Sequence, residues 1–87
     1  MIIWKWKLAK TKCQKISMPE NSIILSVQTQ SNEICMWTLC DKTANKVERV
    51  IMIYMNGFEI PDNPGKFIAT VQIENIDNHI FDLGVLS

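Results

Sequence analysis

The residue types that carry out most protein chemistry are scarce in this chain, and none of them forms a recognisable catalytic motif. His79 is the only histidine, so a Ser-His-Asp or Cys-His arrangement would need His79 to meet a nucleophile in space. The three cysteines, Cys13, Cys35 and Cys40, fall within predicted strands, where buried cysteines are common. A structural role for His79 is therefore favoured over a catalytic or ligand-binding one, and we predict no catalytic residues.

Motifs for metals and cofactors are not found either. The cysteines follow no zinc-ligand spacing, and the odd separation of Cys35 and Cys40 would place them on opposite faces of one strand. Gly57, Gly65 and Gly84 form neither a phosphate-binding loop nor a dinucleotide fingerprint. We therefore predict no metal, no cofactor and no enzymatic activity. The odd number of cysteines favours a reducing, cytoplasmic compartment.

The start of the chain combines aromatic and basic residues. Trp4 and Trp6 alternate with Lys5 and Lys7, and Trp37 follows later. Indole rings beside ammonium groups can stack on planar ligands and hold their negative charge, as in β modules that bind single strands. The same tryptophans fit core positions, and lysines also protect strand edges against aggregation. Both interpretations stay open, and these five residues are the candidate site for a ligand or partner.

The overall charge argues against two classes of partner. The chain has nine basic and nine acidic residues and a formal net charge of zero, which removes the general electrostatic drive toward nucleic acids or anionic membranes. The longest apolar run, 50–55, is far too short to span a bilayer. We therefore expect neither membrane association nor general nucleic-acid binding.

Alternating apolar and polar residues, separated by turn residues, predict an all-β protein. The expected strands are 4–8, 13–18, 23–30, 34–40, 47–55, 67–73 and 79–83, and Pro61 cuts off a short apolar run at 58–60. Asn56-Gly57 predicts a tight type I′ hairpin, and 63–66 fits a type II turn. At most one short helical turn is expected, capped by Asp41.

We expect these strands to form a small antiparallel barrel or sandwich of six or seven strands, connected as a meander. One domain would cover residues 1–87, with 84–87 as a loose tail. A domain this small has a limited core, and self-association is a common reinforcement when disulfides and metals are missing. A homo-oligomer is therefore expected.

An ordered series of short signatures resembles a family of small phage and mobile-element proteins, classed as a domain of unknown function. The matching residues span nearly the whole chain: Ile3-Trp4-Lys5-Trp6, Met18-Pro19, Ile24-Leu25-Ser26-Val27-Gln28-Thr29-Gln30, Trp37 with Leu39 and Asp41, Gly57 through Ile60-Pro61, and Thr70-Val71-Gln72. Members of that family often have a histidine after the glycine turn and another near the C-terminus. Phe58 and Asp82 stand near those positions here, so any chemistry of those histidines is lost.

The resemblance implies a phage or prophage origin and action in the cytoplasm of a bacterial host. Without a catalytic set, the main hypothesis is a non-enzymatic counter-defence inhibitor. It would block a host immune protein, or sequester a small nucleotide signal in a pocket lined by the tryptophans and the N-terminal lysines. The alternative is a structural or accessory subunit that adds a strand to a larger phage or host assembly.

Overall fold

The computed structural model describes residues 1–86 and contains seven strands in two antiparallel sheets. The strands are β1 (Ile2–Leu8), β2 (Cys13–Pro19), β3 (Ile23–Gln30), β4 (Glu33–Cys40), β5 (Lys46–Met55), β6 (Lys66–Ile73) and β7 (Ile76–Val85). One sheet has the order β1-β4-β3 and the other the order β2-β5-β7-β6. The all-β prediction is confirmed, and the arrangement is that of a sandwich rather than a closed barrel. Within residues 1–86, no helix is long and apolar enough to cross a membrane.

The core lies between the sheets because each strand turns one apolar face inward. In β4, Ile34 and Met36 are fully buried, as expected for side chains that alternate between faces. Ile51 of β5 and Ile80 of β7 meet them from the opposite sheet and are also fully buried. Each such side chain contributes about 1.5–3 kcal/mol when it leaves water, so this layer holds the two sheets together.

The chain does not follow the predicted meander. It changes sheet between β1 and β2, between β2 and β3, and between β4 and β5, and only β3–β4 and β6–β7 are hairpins of consecutive strands. Both hairpins turn through two residues with positive φ, Ser31-Asn32 and Glu74-Asn75, as type I′ turns require. The meander was wrong because turn residues mark where strands end but do not specify which strands pair.

The Asn56-Gly57 hairpin is also a wrong prediction. Only Gly57 has a positive φ, 88°, whereas a type I′ turn needs positive φ at both central residues. The N–H of Phe58 closes the turn by donating to the carbonyl of Met55 at 3.1 Å, but no strand returns from it over 58–60. β5 pairs instead with β2 and β7.

The C-terminal part is more ordered than the sequence predicted. β7 begins at Ile76, directly after its type I′ turn, and continues to Val85 instead of ending at residue 83. Gly84 lies at a bulge opposite Val50, where a glycine continues a strand rather than ending it. The N–H of Leu86 then donates to the carbonyl of Glu48 at 2.9 Å. The expected loose tail is therefore strand through residue 85, and residue 87 lies outside the described residues.

A partly buried ion pair joins β5 and β7. Arg49 Nε donates to Asp82 Oδ1 at 3.0 Å, and Arg49 Nη2 donates to Asp82 Oδ2 at 2.6 Å. A third donor, Arg49 Nη1, reaches the carbonyl of Ser22 in the β2–β3 turn at 2.9 Å. The hydrogen bonds to Asp82 raise the pKa of Arg49 above its usual value. The Arg49 guanidinium thus links β5 and β7 to the β2–β3 turn, through which the chain passes from the four-stranded sheet to the three-stranded sheet.

The two sides of the sandwich differ. On one side the edge strands β3 and β6 contact each other, since Thr29 Oγ1 donates to the carbonyl of Gln72 at 3.0 Å. The turns that follow these strands are also joined, because Asn32 Nδ2 donates to Glu74 Oε1 at 3.2 Å. On the other side the edge strands are β1 and β2, and a cleft opens between them. One side of the sandwich is therefore closed and the other is open.

Candidate functional site

The structure divides the five candidate residues between the two faces of the three-stranded sheet. Lys5 lies opposite Trp37 in the β1–β4 pair, and Trp6 lies opposite the buried Met36. Residues opposite each other share a face, and neighbours along a strand alternate. Lys5, Lys7 and Trp37 therefore lie on the outer face, whereas Trp4 and Trp6 lie on the inner face. The pocket that would join all five residues does not form.

The outer group makes contacts within its own sheet. Lys5 Nζ lies 5.7 Å from the centre of the Trp37 ring and hydrogen bonds to Gln30 across the sheet. Lys7 Nζ lies 3.5 Å from a carboxylate oxygen of Glu33. A cation over an indole near the surface is worth about 0.5–1 kcal/mol, and an exposed ion pair about the same or less. These contacts position the lysines without burying them.

The inner group lines the cleft on the open side of the sandwich. The cleft has a volume of about 250 Å³ and is lined by Ile2, Trp4, Trp6, Ser17, Pro19, Cys40, Lys42 and Lys46. The Trp4 side chain is half exposed, and its ring centre lies 6.2 Å from that of Trp6 at an interplanar angle of 44°. Among residues 1–86, the lining contributes two ammonium groups and no carboxylate. The cleft therefore combines an accessible aromatic surface with positive charge.

A chain of hydrogen bonds holds the inner wall of the cleft. Trp6 Nε1 donates to Thr38 Oγ1 at 2.8 Å, and Thr38 Oγ1 lies 3.0 Å from Cys40 Sγ. Ser22 Oγ lies 3.3 Å from the same sulfur and donates to the carbonyl of Pro19 at 2.6 Å. The Pro19 carbonyl can only accept, so the Ser22 hydroxyl donates its one hydrogen to it, and Ser22 Oγ can then accept from the Cys40 thiol. This network satisfies the buried polar groups and fixes the indole of Trp6.

The two lysines of the cleft were missed by the sequence analysis. Lys42 sits in the loop after β4, where the Asp41 carboxylate accepts from the N–H of Thr43 at 3.0 Å and from its hydroxyl at 2.6 Å. These bonds lower the pKa of Asp41. The N–H of Ala44 donates to the Asp41 carbonyl at 3.0 Å, which makes a turn where a helical turn was considered. Lys46 begins β5. No sequence signal would have found this pair, because only the fold brings this loop beside β1.

His79 makes contacts that suit a structural residue. It lies half buried, with Nδ1 2.8 Å from Thr70 Oγ1 and Nε2 2.6 Å from Asn56 Oδ1. Asn56 Nδ2 in turn donates to Asp77 Oδ2 at 3.1 Å. In the neutral ring, Nε2 carries the proton because an amide oxygen only accepts. Its ring nitrogens therefore bond to residues of β6 and of the β5 end, and not to a cysteine.

The cysteines are separated from one another. Cys13 is exposed, contrary to expectation, while Cys35 and Cys40 are buried. Cys35 pairs with Lys7 on the outer side of the three-stranded sheet and Cys40 lines the cleft on the inner side, so the predicted opposite faces are confirmed. Among residues 1–86, no cluster of three or more His, Cys, Asp or Glu side chains is arranged to hold a metal ion.

Phe58 and Asp82, which stand near the positions of histidines in the family that the sequence resembles, make different contacts. Asp82 is the partly buried ion-pair partner of Arg49, whereas the side chain of Phe58 lines a second cavity at one end of the sandwich. That cavity measures about 210 Å³ and is lined by Lys10, Thr11, Lys12, Ile53, Met55, Phe58, Ile73, Glu74, Ile76 and Asn78. The structure gives the two positions no common site.

Comparison with known proteins adds a family but no described relative. No curated protein matches the chain, and no solved structure matches it. A family model described as Domain of unknown function (DUF7352) matches residues 1–85, which is almost the full length of the chain. The protein therefore belongs to the DUF7352 family.

Proposed function

We propose that the protein acts by binding rather than by catalysis, as a phage-derived counter-defence inhibitor in the cytoplasm of a bacterial host. It would block an immune protein or sequester an immune nucleotide signal. The observation that carries the proposal is the cleft between β1 and β2, where an accessible indole lies beside two lysines and where the described residues place no carboxylate. Phage origin and the host cell rest on the resemblance to small phage and mobile-element proteins.

The cleft suits a ligand that is planar at one end and negatively charged at the other. A base stacked on the exposed indole of Trp4 would gain about 1–3 kcal/mol. Lys42 and Lys46 would supply ammonium groups to a phosphate, and an ammonium is a compact charge with three donors. Trp6 is held by its bond to Thr38, so it serves as a fixed wall. Sequestration needs only such binding and no reacting group.

Native mass spectrometry and calorimetry with cyclic nucleotides test the nucleotide form of the proposal. We expect Trp4→Ala to weaken binding by about 5-fold to 150-fold, the equivalent of the stacking energy, and Lys46→Gln to weaken it in a salt-dependent way. Lys66→Gln removes the same charge from β6 and should leave binding unchanged. Equal losses in both lysine variants would exclude the cleft as the binding site.

Phage growth tests the biological part. Deleting the gene should reduce growth on hosts that carry an immune system and leave growth unchanged on hosts that lack one. Pull-down from infected cells would identify an immune protein if that is the target. If no nucleotide binds, no immune protein is recovered and deletion changes growth on neither host, the counter-defence proposal is wrong.

A second candidate function is that of a structural or accessory subunit in a larger phage or host assembly. The observation in its favour is that β1 and β2 are both edge strands, which can accept a strand from another chain. Light scattering on the purified protein distinguishes the cases. A stable monomer at micromolar concentration would count against this function and against a homo-oligomer.

A further inference from the structure

We infer that the free edge of β1 binds an extended acidic segment of a partner protein, which would become the fourth strand of the three-stranded sheet. This inference deepens the protein-binding form of the proposed function, since it names the chemistry of the partner. It rests on three features of β1: its position in the sheet, its exposed apolar side chains and the charges around it.

The position of β1 leaves one row of backbone groups without a strand partner. β1 has seven residues and pairs only with β4. Of the other edges, β3 and β6 contact each other through Thr29 and Gln72. β2 ends in Pro19, which has no N–H to donate. β1 is therefore the edge best able to accept a further strand, and added strands gain their affinity from such main-chain hydrogen bonds.

Apolar side chains are exposed on both faces along this edge. Ile3 is 62% exposed on the outer face, and Trp4 is 51% exposed on the inner face above the cleft. Lys5 and Lys7 of β1 discourage pairing with another basic strand, whereas the neighbouring Ile and Trp side chains favour pairing with a strand of complementary charge. A partner strand would cover Ile3 with one set of its alternating side chains and insert the other set toward Trp4.

Charge identifies the kind of partner. Lys5 and Lys7 lie on the outer face of β1, and Lys42 and Lys46 lie at the cleft on its inner face. The acidic group nearest to Lys7 is Glu33, 3.5 Å away, which balances only one of the four. Two copies of the chain paired edge to edge would bring both sets of lysines together, which like charges oppose. An acidic strand would instead meet complementary charge on either face.

The test uses two blocked peptides of about seven residues, the length of β1, with valine alternating with glutamate in one and with lysine in the other. We expect the glutamate peptide to bind, with an affinity that falls as salt rises, and to slow amide exchange at alternate residues of β1. The lysine peptide should not bind. Lys7→Glu should weaken binding of the glutamate peptide about tenfold, whereas Lys66→Glu, the same change on β6, should have no effect.

Several results would overturn the inference. These are no binding of the glutamate peptide, equal binding of both peptides, or exchange protection on β2 rather than β1. A nucleotide that binds the cleft when the peptide does not would refute this inference and leave the nucleotide form of the proposed function intact. Circular dichroism and the thermal midpoint of each variant establish that it is folded before binding is compared.

Discussion

Replacing Asp82 with asparagine removes one charge of the ion pair with Arg49 while keeping almost the same side-chain shape. In the native protein the carboxylate accepts from Nε and Nη2 of Arg49 and also from the N–H of Gly84 at 2.9 Å. The Arg49 and Asp82 side chains are only 16% and 9% exposed. The asparagine oxygen can still accept a hydrogen bond, so the main loss is the compensation of a mostly buried positive charge.

The magnitude follows from burial and geometry. Removing one partner of a buried ion pair costs about 3–5 kcal/mol. Arg49 keeps its bond to the Ser22 carbonyl and some contact with water, which reduces the loss to about 2–4 kcal/mol. Since each 1 kcal/mol lowers the Tm of a domain this size by about 4–8 °C, we expect a decrease of about 8–32 °C. A loss of about 2–4 kcal/mol is a large part of the total free energy of unfolding of a small domain, which is about 5–15 kcal/mol.

Urea unfolding followed by tryptophan fluorescence measures this loss. Lys7→Gln is the matched control, because it breaks an ion pair whose side chains are 69% and 40% exposed, and it should cost less than about 0.5 kcal/mol. Arg49→Lys keeps the charge and loses the two-pronged geometry, so it should fall between the two. If Asp82→Asn were no more destabilising than Lys7→Gln, the argument from burial would be refuted.

Three further predictions concern the turns, the outer face and the cleft wall. At Gly65, where φ is 93°, an alanine Cβ would lie 2.8 Å from the Cα of Leu83 in β7, whereas at Gly57 it would meet no atom. Gly65→Ala should therefore lower the free energy of unfolding by at least about 2 kcal/mol more than Gly57→Ala, and equal urea midpoints for the two variants would contradict this. Hydrogen bonds from side-chain amides lower the pKa of Asp77, so the stability that its ionised form contributes is present above the ordinary pKa and is lost as the pH falls through the lowered pKa. The urea midpoint of Asp77→Asn should therefore approach that of the native protein as the pH falls from about 6 to about 2. A difference in midpoint that does not change with pH would contradict this. Trp6→Phe and Thr38→Val remove the same hydrogen bond, so each should destabilise the protein by about 1–2 kcal/mol and the double variant should lose less than the sum of the two. Additive losses in this double-mutant cycle would show that the bond contributes nothing to stability.

The strands themselves were predictable because their signals are local. β3 is Ile23–Gln30, as predicted, and β4 begins one residue before its predicted start. In both cases apolar side chains alternate and turn residues follow directly, which is the pattern of a half-buried strand. The partners of the strands were not predictable in this way. β1 pairs with β4 across some thirty residues, and nothing within either segment specifies the other.

Two turns illustrate the same limit. Asn56-Gly57 has the composition of a type I′ hairpin, but β7 occupies the place beside β5 that the returning chain would take. Glu74-Asn75 lacks glycine, yet both residues adopt positive φ, since the Ile73–Ile76 pair needs a two-residue reversal there. Tertiary pairing therefore decided both turns against their local preference.

The sequence predicted a candidate site that combines aromatic and basic side chains, but it did not predict which residues form that site. The alternation of Trp4 and Lys5 already implied opposite faces, so the lysines next to the tryptophans were poor candidates for the same pocket. The face of Trp37 depends on the register of β1 against β4, which the sequence does not reveal. Lys42 and Lys46 supply the charge at the cleft instead, because the β4–β5 loop ends beside β1.

The exposed indole of Trp4 costs stability, and that cost supports a binding role for the open side. A buried tryptophan removes about 150–250 Å² from water, and Trp4 remains 51% exposed. At about 25 cal/mol per Å², the exposed half forgoes about 2–3 kcal/mol, comparable to the ion pair of Arg49 and Asp82. A small domain gains more by closing both sides of its sandwich, as β3 and β6 do. A ligand or partner strand that covers Trp4 would recover part of this energy on binding, which is the energetic basis of the binding proposed for the open side.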